Sequence, residues 1–170
     1  MAWHRRGPVL AIAALLAAVA APATAADLLV GVATALDGDS LSLDGAAIRL
    51  NGIDAPELDQ TCREGFQTVQ REYPCGLEAV ALLTSLISDF QVACVSYGAR
   101  EDGVVVGTCY AGGRDVAEVL AREGWAIADP KGSARYINAA NRAREASWGL
   151  WSGHFEEPAL WRARTGAPDD

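Results

Sequence analysis

A chain of 170 residues, 51% of them apolar, is long enough for one domain with a proper core. Its formal charge of −8 argues against sequence-independent clinging to nucleic acid, which needs broad basic patches. It does not exclude a local positive site built from a cation and arginines. Lys131 is the single lysine, so arginine supplies the other basic groups.

Taken in chain order, residues 1–25 read as a signal peptide. Arg5 and Arg6 precede an apolar run from Pro8 to Ala21, and Ala23-Thr24-Ala25 is a small-residue cleavage site. The run is short for a bilayer; an uncleaved anchor is the competing reading. Export is expected, to the periplasm or the medium, with a mature chain from about Ala26 and no membrane attachment after cleavage. Loss of both leader arginines makes the remainder more acidic still.

Residues 28–35 read as a first strand and Asp37-Gly38 as a hairpin turn. Leu41-Ser42-Leu43 alternates, Asp44-Gly45 turns the chain again, and residues 47–53 make a third strand. Residues 54–76 carry loop residues and two cysteines. Ala79, Val80, Leu83, Leu86, Ile87 and Phe90 then follow helical spacing. Strands at 91–97 and 104–110 flank a second hairpin. Asp115 caps a helix through Val116, Val119 and Leu120 that Gly124 stops, and residues 134–147 form a last helix. A tail with Trp148, Trp151, Phe155 and Trp161 follows. This order, β-β-β-α-β-β-α-α, matches an α+β architecture: a five-stranded OB-fold barrel with two to three packed helices. The expected division is a signal peptide at 1–25, one domain at 26–162 and a C-terminal tail at 163–170.

Four cysteines in an exported chain imply two disulfides. Three pairings are possible. Cys94 and Cys109 lie nearly symmetrically about Arg100-Glu101-Asp102-Gly103, which favours Cys94–Cys109 and leaves Cys62–Cys75. A four-cysteine zinc site wants closer C-x-x-C spacing.

The densest chemistry lies between Asp37 and Glu57. Asp37 and Asp44 precede glycines and are turn residues. Asp39, Asp54 and Glu57, with Arg49 among them, are the inventory for holding a hard cation beside a phosphodiester. Two carboxylates can bind the ion, which supplies Lewis acidity and an acidified water. A glutamate can orient that water or take its proton, and an arginine fork can bind two phosphate oxygens. Oxygen ligands favour a calcium-type ion over zinc. His154 is the only histidine beyond the leader, so histidine-based hydrolysis is poorly supported. Trp125, Trp148 and Trp151 are read as packing residues, and Arg135, Arg142 and Arg144 as a solvated helix face.

Asp37-Gly-Asp-Ser, Ile48-Arg-Leu-Asn-Gly-Ile-Asp-Ala-Pro-Glu57, Gln60-Thr-Cys62, Pro74-Cys-Gly76, Gly124-Trp-Ala126 and Gly149-Leu-Trp-Ser-Gly153 together resemble the thermonuclease, or staphylococcal-nuclease-like, family. The resemblance covers about residues 28–162. It implies an OB barrel with helices and calcium-dependent cleavage of DNA and RNA. It makes Asp39, Asp54 and the Ala55 carbonyl metal ligands, and Arg49 and Glu57 catalytic. A second phosphate-binding arginine of the family falls on Val104, and the tyrosine before it on Asp102. Valine cannot stabilise the developing charge, a loss of roughly two to three decades of rate. Arg100, on the same hairpin, is the substitute the sequence offers.

Two readings follow. One is an exported metal-dependent phosphodiesterase, slowed by Val104, whose substrate is single-stranded DNA or RNA and whose form is a monomer. The other is a catalytically degenerate binding module for a nucleotide, nucleic acid or protein partner.

Overall fold

The computed structural model describes residues 27–65, 71–100 and 102–167. The signal peptide expected at residues 1–25 lies outside the described residues. Strands β1 (Leu28–Gly31) and β2 (Ala33–Ala35) are two pieces of one segment that bends at Val32. β3 (Ser40–Leu43) and β4 (Ala46–Leu50) follow as a hairpin. Its turn residues Asp44 and Gly45 have φ of 48° and 93°. Two consecutive left-handed residues are what a tight antiparallel hairpin requires. Alternation then sets the faces: Leu41, Leu43, Ile48 and Leu50 are buried, so Arg49 must point the other way.

Short β5 (Ile53–Asp54), β6 (Cys62–Glu64) and β7 (Arg71–Tyr73) lead into α1 (Cys75–Ile87). β8 (Val92–Ala99) and β9 (Val105–Ala111) form the second hairpin, and β10 (Arg114–Asp115) pairs with β9. α2 (Val116–Arg122) is capped by the Asp115 carboxylate, which accepts from the Glu118 N–H at 3.1 Å. β11 (Ile127–Ala128) pairs with β5. α3 (Ala134–Glu145) is capped by Ser133. A 3₁₀ turn over Gly149–Ser152, β12 (Gly153–His154) and α4 (Pro158–Thr165) complete the order.

The main sheet runs β1-β8-β9-β4-β3-β2, parallel only between β4 and β9. Its two ends are β1 and β2, which one residue separates. The sheet therefore wraps round on a single bent segment, the OB-type arrangement. That is why the expected strand at 28–35 divides: it serves both edges of a curling sheet. At the bend the Val32 N–H leaves the ladder and donates to the Asp44 carboxylate at 3.1 Å. α1, α2 and α3 close over the core through Leu83, Ile87, Val116, Leu120 and Ala139.

Two features depart from the sequence expectation. The segment 54–76 is not all loop: β6 and β7 join β12 in a small separate sheet, ordered β12-β6-β7. The tail is not irregular either, since α4 starts on Pro158 and ends at Gly166 (φ 73°). Both disulfides pair as expected. Cys94 and Cys109 oppose each other across β8 and β9, and Cys62–Cys75 ties β6 to the start of α1. Trp125 and Trp151 pack edge-on against Tyr73 and Phe155. Among the described residues no helix is long and apolar enough to cross a membrane.

Candidate active site

The turn before β3 is organised by Asp37. Its Oδ1 accepts the N–H groups of Asp39 and Ser40, each at 2.8 Å, and its Oδ2 accepts the Ser40 hydroxyl. Asp37 is thus the turn residue its position suggested. The turn aims Asp39 inward, where it is 1% exposed. Asp39 Oδ2 accepts the Ala55 N–H at 2.6 Å, and its Oδ1 meets Arg49 Nη1 at 2.6 Å. Burial pushes the Asp39 carboxyl well above the usual carboxylate range; Arg49 pulls against this, and Asp37 adds to it.

Arg49 comes from the outward face of β4, where Ser40 is its cross-strand partner. Its Nη2 reaches Asp54 Oδ1 at 3.0 Å. One guanidinium therefore bridges two carboxylates that lie fifteen positions apart in the chain. Asp54 is held by the pairing of β5 with β11. Beyond it the chain turns through Ala55 and Pro56 to Glu57, which is 6% exposed.

The Glu57 loop can sit this deep because two neighbours lack side chains. A methyl group on Gly76 would overlap the Glu57 carbonyl oxygen, and one on Gly38 would come within 2.8 Å of the Ala55 methyl. The fully buried Gln60 completes the support. Its Oε1 accepts the Glu57 N–H at 3.2 Å, and its Nε2 donates to the Glu156 carbonyl at 2.7 Å. That second bond links the loop to the residues leading into α4.

α4 brings in a residue that sequence reasoning missed. Arg162 Nη1 lies 2.9 Å from Asp54 Oδ1 and 2.5 Å from Glu57 Oε1, and its Nη2 lies 3.4 Å from Asp54 Oδ2. Burial pulls the Arg162 pKa down, but the hydrogen bonds to Asp54 and Glu57 outweigh it and hold the group protonated. Asp54 Oδ1 is shared by Arg49 and Arg162, so two guanidiniums meet at one carboxylate. A sequence signal for α4 did exist: Pro158 opens the eight-residue helix and Gly166 follows it, as N-terminal and C-terminal helix marks.

The hairpin of β8 and β9 does not supply this group. Val104 stands beside Ala47 on the Arg49 side, lining a cavity of about 230 Å³ with Leu36, Asp37 and Ser40. Arg100, the substitute the sequence offered, pairs with Asp102 of its own hairpin at 3.0 Å. His154 lies on β12 opposite Arg63, in a groove bordered by Trp161 and Arg164. Arg135 pairs with Glu118, and Arg144 lies over Trp151.

Asp39, Arg49, Asp54 and Glu57 are thus brought together through Arg49 and Arg162, and the Ala55 N–H donates to Asp39. By formal charge the carboxylates of Asp39, Asp54 and Glu57 outnumber the guanidiniums of Arg49 and Arg162, and Asp37 beside Asp39 adds to the excess. The donors are all oxygens, which suits a hard divalent cation. Among the described residues no three His, Cys, Asp or Glu side chains form a metal-holding group by themselves. A cation here would rest on two carboxylates with a main-chain carbonyl and water; the Ala55 N–H already donates to Asp39 Oδ2, and the Ala55 carbonyl is the main-chain ligand the sequence suggests.

The profile of staphylococcal nuclease homologues matches residues 47–153. The chain is also 32% identical over 143 residues to the succinoglycan biosynthesis protein ExoI of Rhizobium meliloti (strain 1021), covering 82% of this chain and 73% of that protein. The chain belongs to the staphylococcal nuclease homologue family.

Proposed function

Proceeding from that membership, we propose that the protein is an exported phosphodiesterase that depends on a calcium-type cation and hydrolyses single-stranded DNA or RNA. Asp39, Asp54 and the Ala55 carbonyl are the ligands in this reading. The bound cation would supply Lewis acidity and an acidified water. Glu57 orients that water or accepts its proton. Arg49 presents a fork for two phosphate oxygens. The two disulfides support export, because such bridges persist in oxidising compartments.

The observation that carries the reading is the single guanidinium joining Asp39 to Asp54, with Glu57 buried beside them. Two carboxylates held apart by a cationic group, rather than dispersed in solvent, are a ready ligand pair. The test uses the disulfide-intact protein and single-stranded DNA and RNA, with calcium and with chelator. Cutting is expected only with calcium, and Glu57→Gln is expected to lower it by about 10²–10⁴-fold. Calcium-independent cutting, or a fully active Glu57→Gln, refutes the assignment.

A second reading is a catalytically degenerate binding module for a nucleotide, nucleic acid or protein partner. The rhizobial relative is named for succinoglycan biosynthesis rather than for nucleic-acid breakdown, which favours it. Oligonucleotide binding without cutting by the parent would decide for this reading.

A further inference from the structure

Resting on that reading, we infer that Arg162 of α4 is the second phosphate-binding guanidinium of the site. It does the work that Val104 cannot, from the opposite end of the chain. Its Nη1 lies within hydrogen-bond distance of both Asp54 and Glu57. Arg49 approaches the same Asp54 oxygen, so the two forks flank one point between the ligand pair and Glu57. A phosphodiester placed beside Asp54 and Glu57 lies within reach of both.

The helix is set to hold Arg162 there. Pro158 is buried at its first position, and Glu156, just before it, accepts from Gln60 through its carbonyl. The Glu156 carboxylate takes three hydrogen bonds from Arg164, at 2.7, 3.1 and 3.2 Å, on the outer face of the same helix. Arg164 also lies over the Trp161 ring at 4.5 Å. The helix thus faces the site with Arg162 and the groove beside His154 with Trp161 and Arg164. The Arg162 side chain is 13% exposed, so its contacts with phosphate are shielded from solvent and each is stronger than at an open surface.

Val104 allows a reciprocal test, because it lies on the Arg49 side of the sheet. The experiment compares the parent, Arg162→Ala, Val104→Arg and the double variant, with Arg162→Lys and Arg164→Ala beside them. Two quantities are read: cleavage of single-stranded DNA with calcium, and affinity for thymidine 5′-monophosphate with calcium, by calorimetry. Circular dichroism confirms that each variant is folded.

Arg162→Ala is expected to lower kcat/KM by roughly 10²-fold, one charge-stabilising donor's worth, and to weaken monophosphate binding at least about tenfold. Arg162→Lys keeps the charge but loses the fork and falls between. Arg164→Ala, which loosens the support of the helix and removes no phosphate contact, lowers both by less than Arg162→Ala does. Val104→Arg restores about tenfold or more to Arg162→Ala while changing the parent less, a non-additive pair. Equal affinity in the parent and Arg162→Ala overturns the inference. A gain of rate or affinity on removing Arg162 also overturns it, since the group would then be a plug. If the parent binds the monophosphate but does not cut, hydrolysis fails and the affinity arm alone decides Arg162. If the parent cuts and Arg162→Ala cuts equally, only Arg162 fails. A parent that neither binds nor cuts overturns both.

Discussion

Replacing Gln60 with leucine should uncouple the Glu57 loop from α4 while keeping side-chain volume nearly constant. Gln60 is fully buried, and its amide satisfies the Glu57 N–H at 3.2 Å and the Glu156 carbonyl at 2.7 Å. Leucine leaves both without that partner. An unsatisfied buried backbone group costs about 1–3 kcal/mol. Glu57 is buried and draws on the upper part of that range, whereas the segment at Glu156 is only partly buried and draws on the lower. The sum is about 3–5 kcal/mol. At roughly 2–4 °C per kcal/mol for a chain of this size, Tm should fall by about 6–20 °C. Cleavage measured well below that Tm should fall as well, because Gln60 ties the Glu57 loop to the residues leading into α4 and so supports the direct contact between Glu57 and Arg162. Thermal melts and single-stranded DNA cleavage at 15 °C read the two effects separately. A Tm within about 2 °C of the parent would refute the bridging account, and a lower Tm with unchanged cleavage would confine Gln60 to stability.

Replacing both Cys62 and Cys75 with alanine should cost about 3 kcal/mol, the loop-closure value for a bridge of this span. It should also reduce cleavage, because that bridge anchors β6 to α1 beside the Glu57 loop; denaturant titration and rate assays check each part. Stability should decline above pH 10 through Tyr136. Burial, helped by the hydrogen bond its phenol donates to Asp115 at 2.9 Å, raises its pKa well above the ordinary 10.0 despite the opposing effect of Thr108. Below pH 10 both folded and unfolded states keep the proton and the contribution is whole. Above it the unfolded state alone loses the proton, so stability falls with rising pH. Denaturant midpoints from pH 8 to 11 should show that decline, flattened in Tyr136→Phe.

Much of the barrel was legible because its signals are local. Asp44-Gly45 dictates a tight turn, and Leu41, Leu43, Ile48 and Leu50 then share a face by alternation alone. Arg49 then falls on the opposite face, and Asp39 and Asp54 meet it there only because the strands fold as a meander and the β5 pairing holds Asp54. Arg162 was not legible in that way. It lies 108 positions from Asp54 and 105 from Glu57, and no periodicity relates residues at that distance. α4 is short and mostly exposed, so it lacks the apolar stripe that marked α1. The β6-β7-β12 sheet escaped for a related reason. Its strands are two or three residues long, below the length at which alternation can be read.

The balance of charge predicts how such a site would take its substrate. The chain as a whole carries −8, so its overall field does not draw in a polynucleotide. The formal negative excess of the site is offset once a divalent cation joins Asp39 and Asp54. Grip should therefore be confined to the one or two phosphates that Arg49 and Arg162 can reach. Each neutralised phosphate on a single strand contributes about −0.7 to the slope of log affinity against log salt. Two give about −1.4, far shallower than a protein holding its substrate along a basic groove. Fluorescence anisotropy of a labelled single-stranded octamer with calcium and Glu57→Gln protein, titrated from 50 to 300 mM salt, measures that slope. A slope steeper than about −3 would mean that basic groups remote from the site, such as the arginines of α3, carry the strand, and the confined-grip account would be wrong.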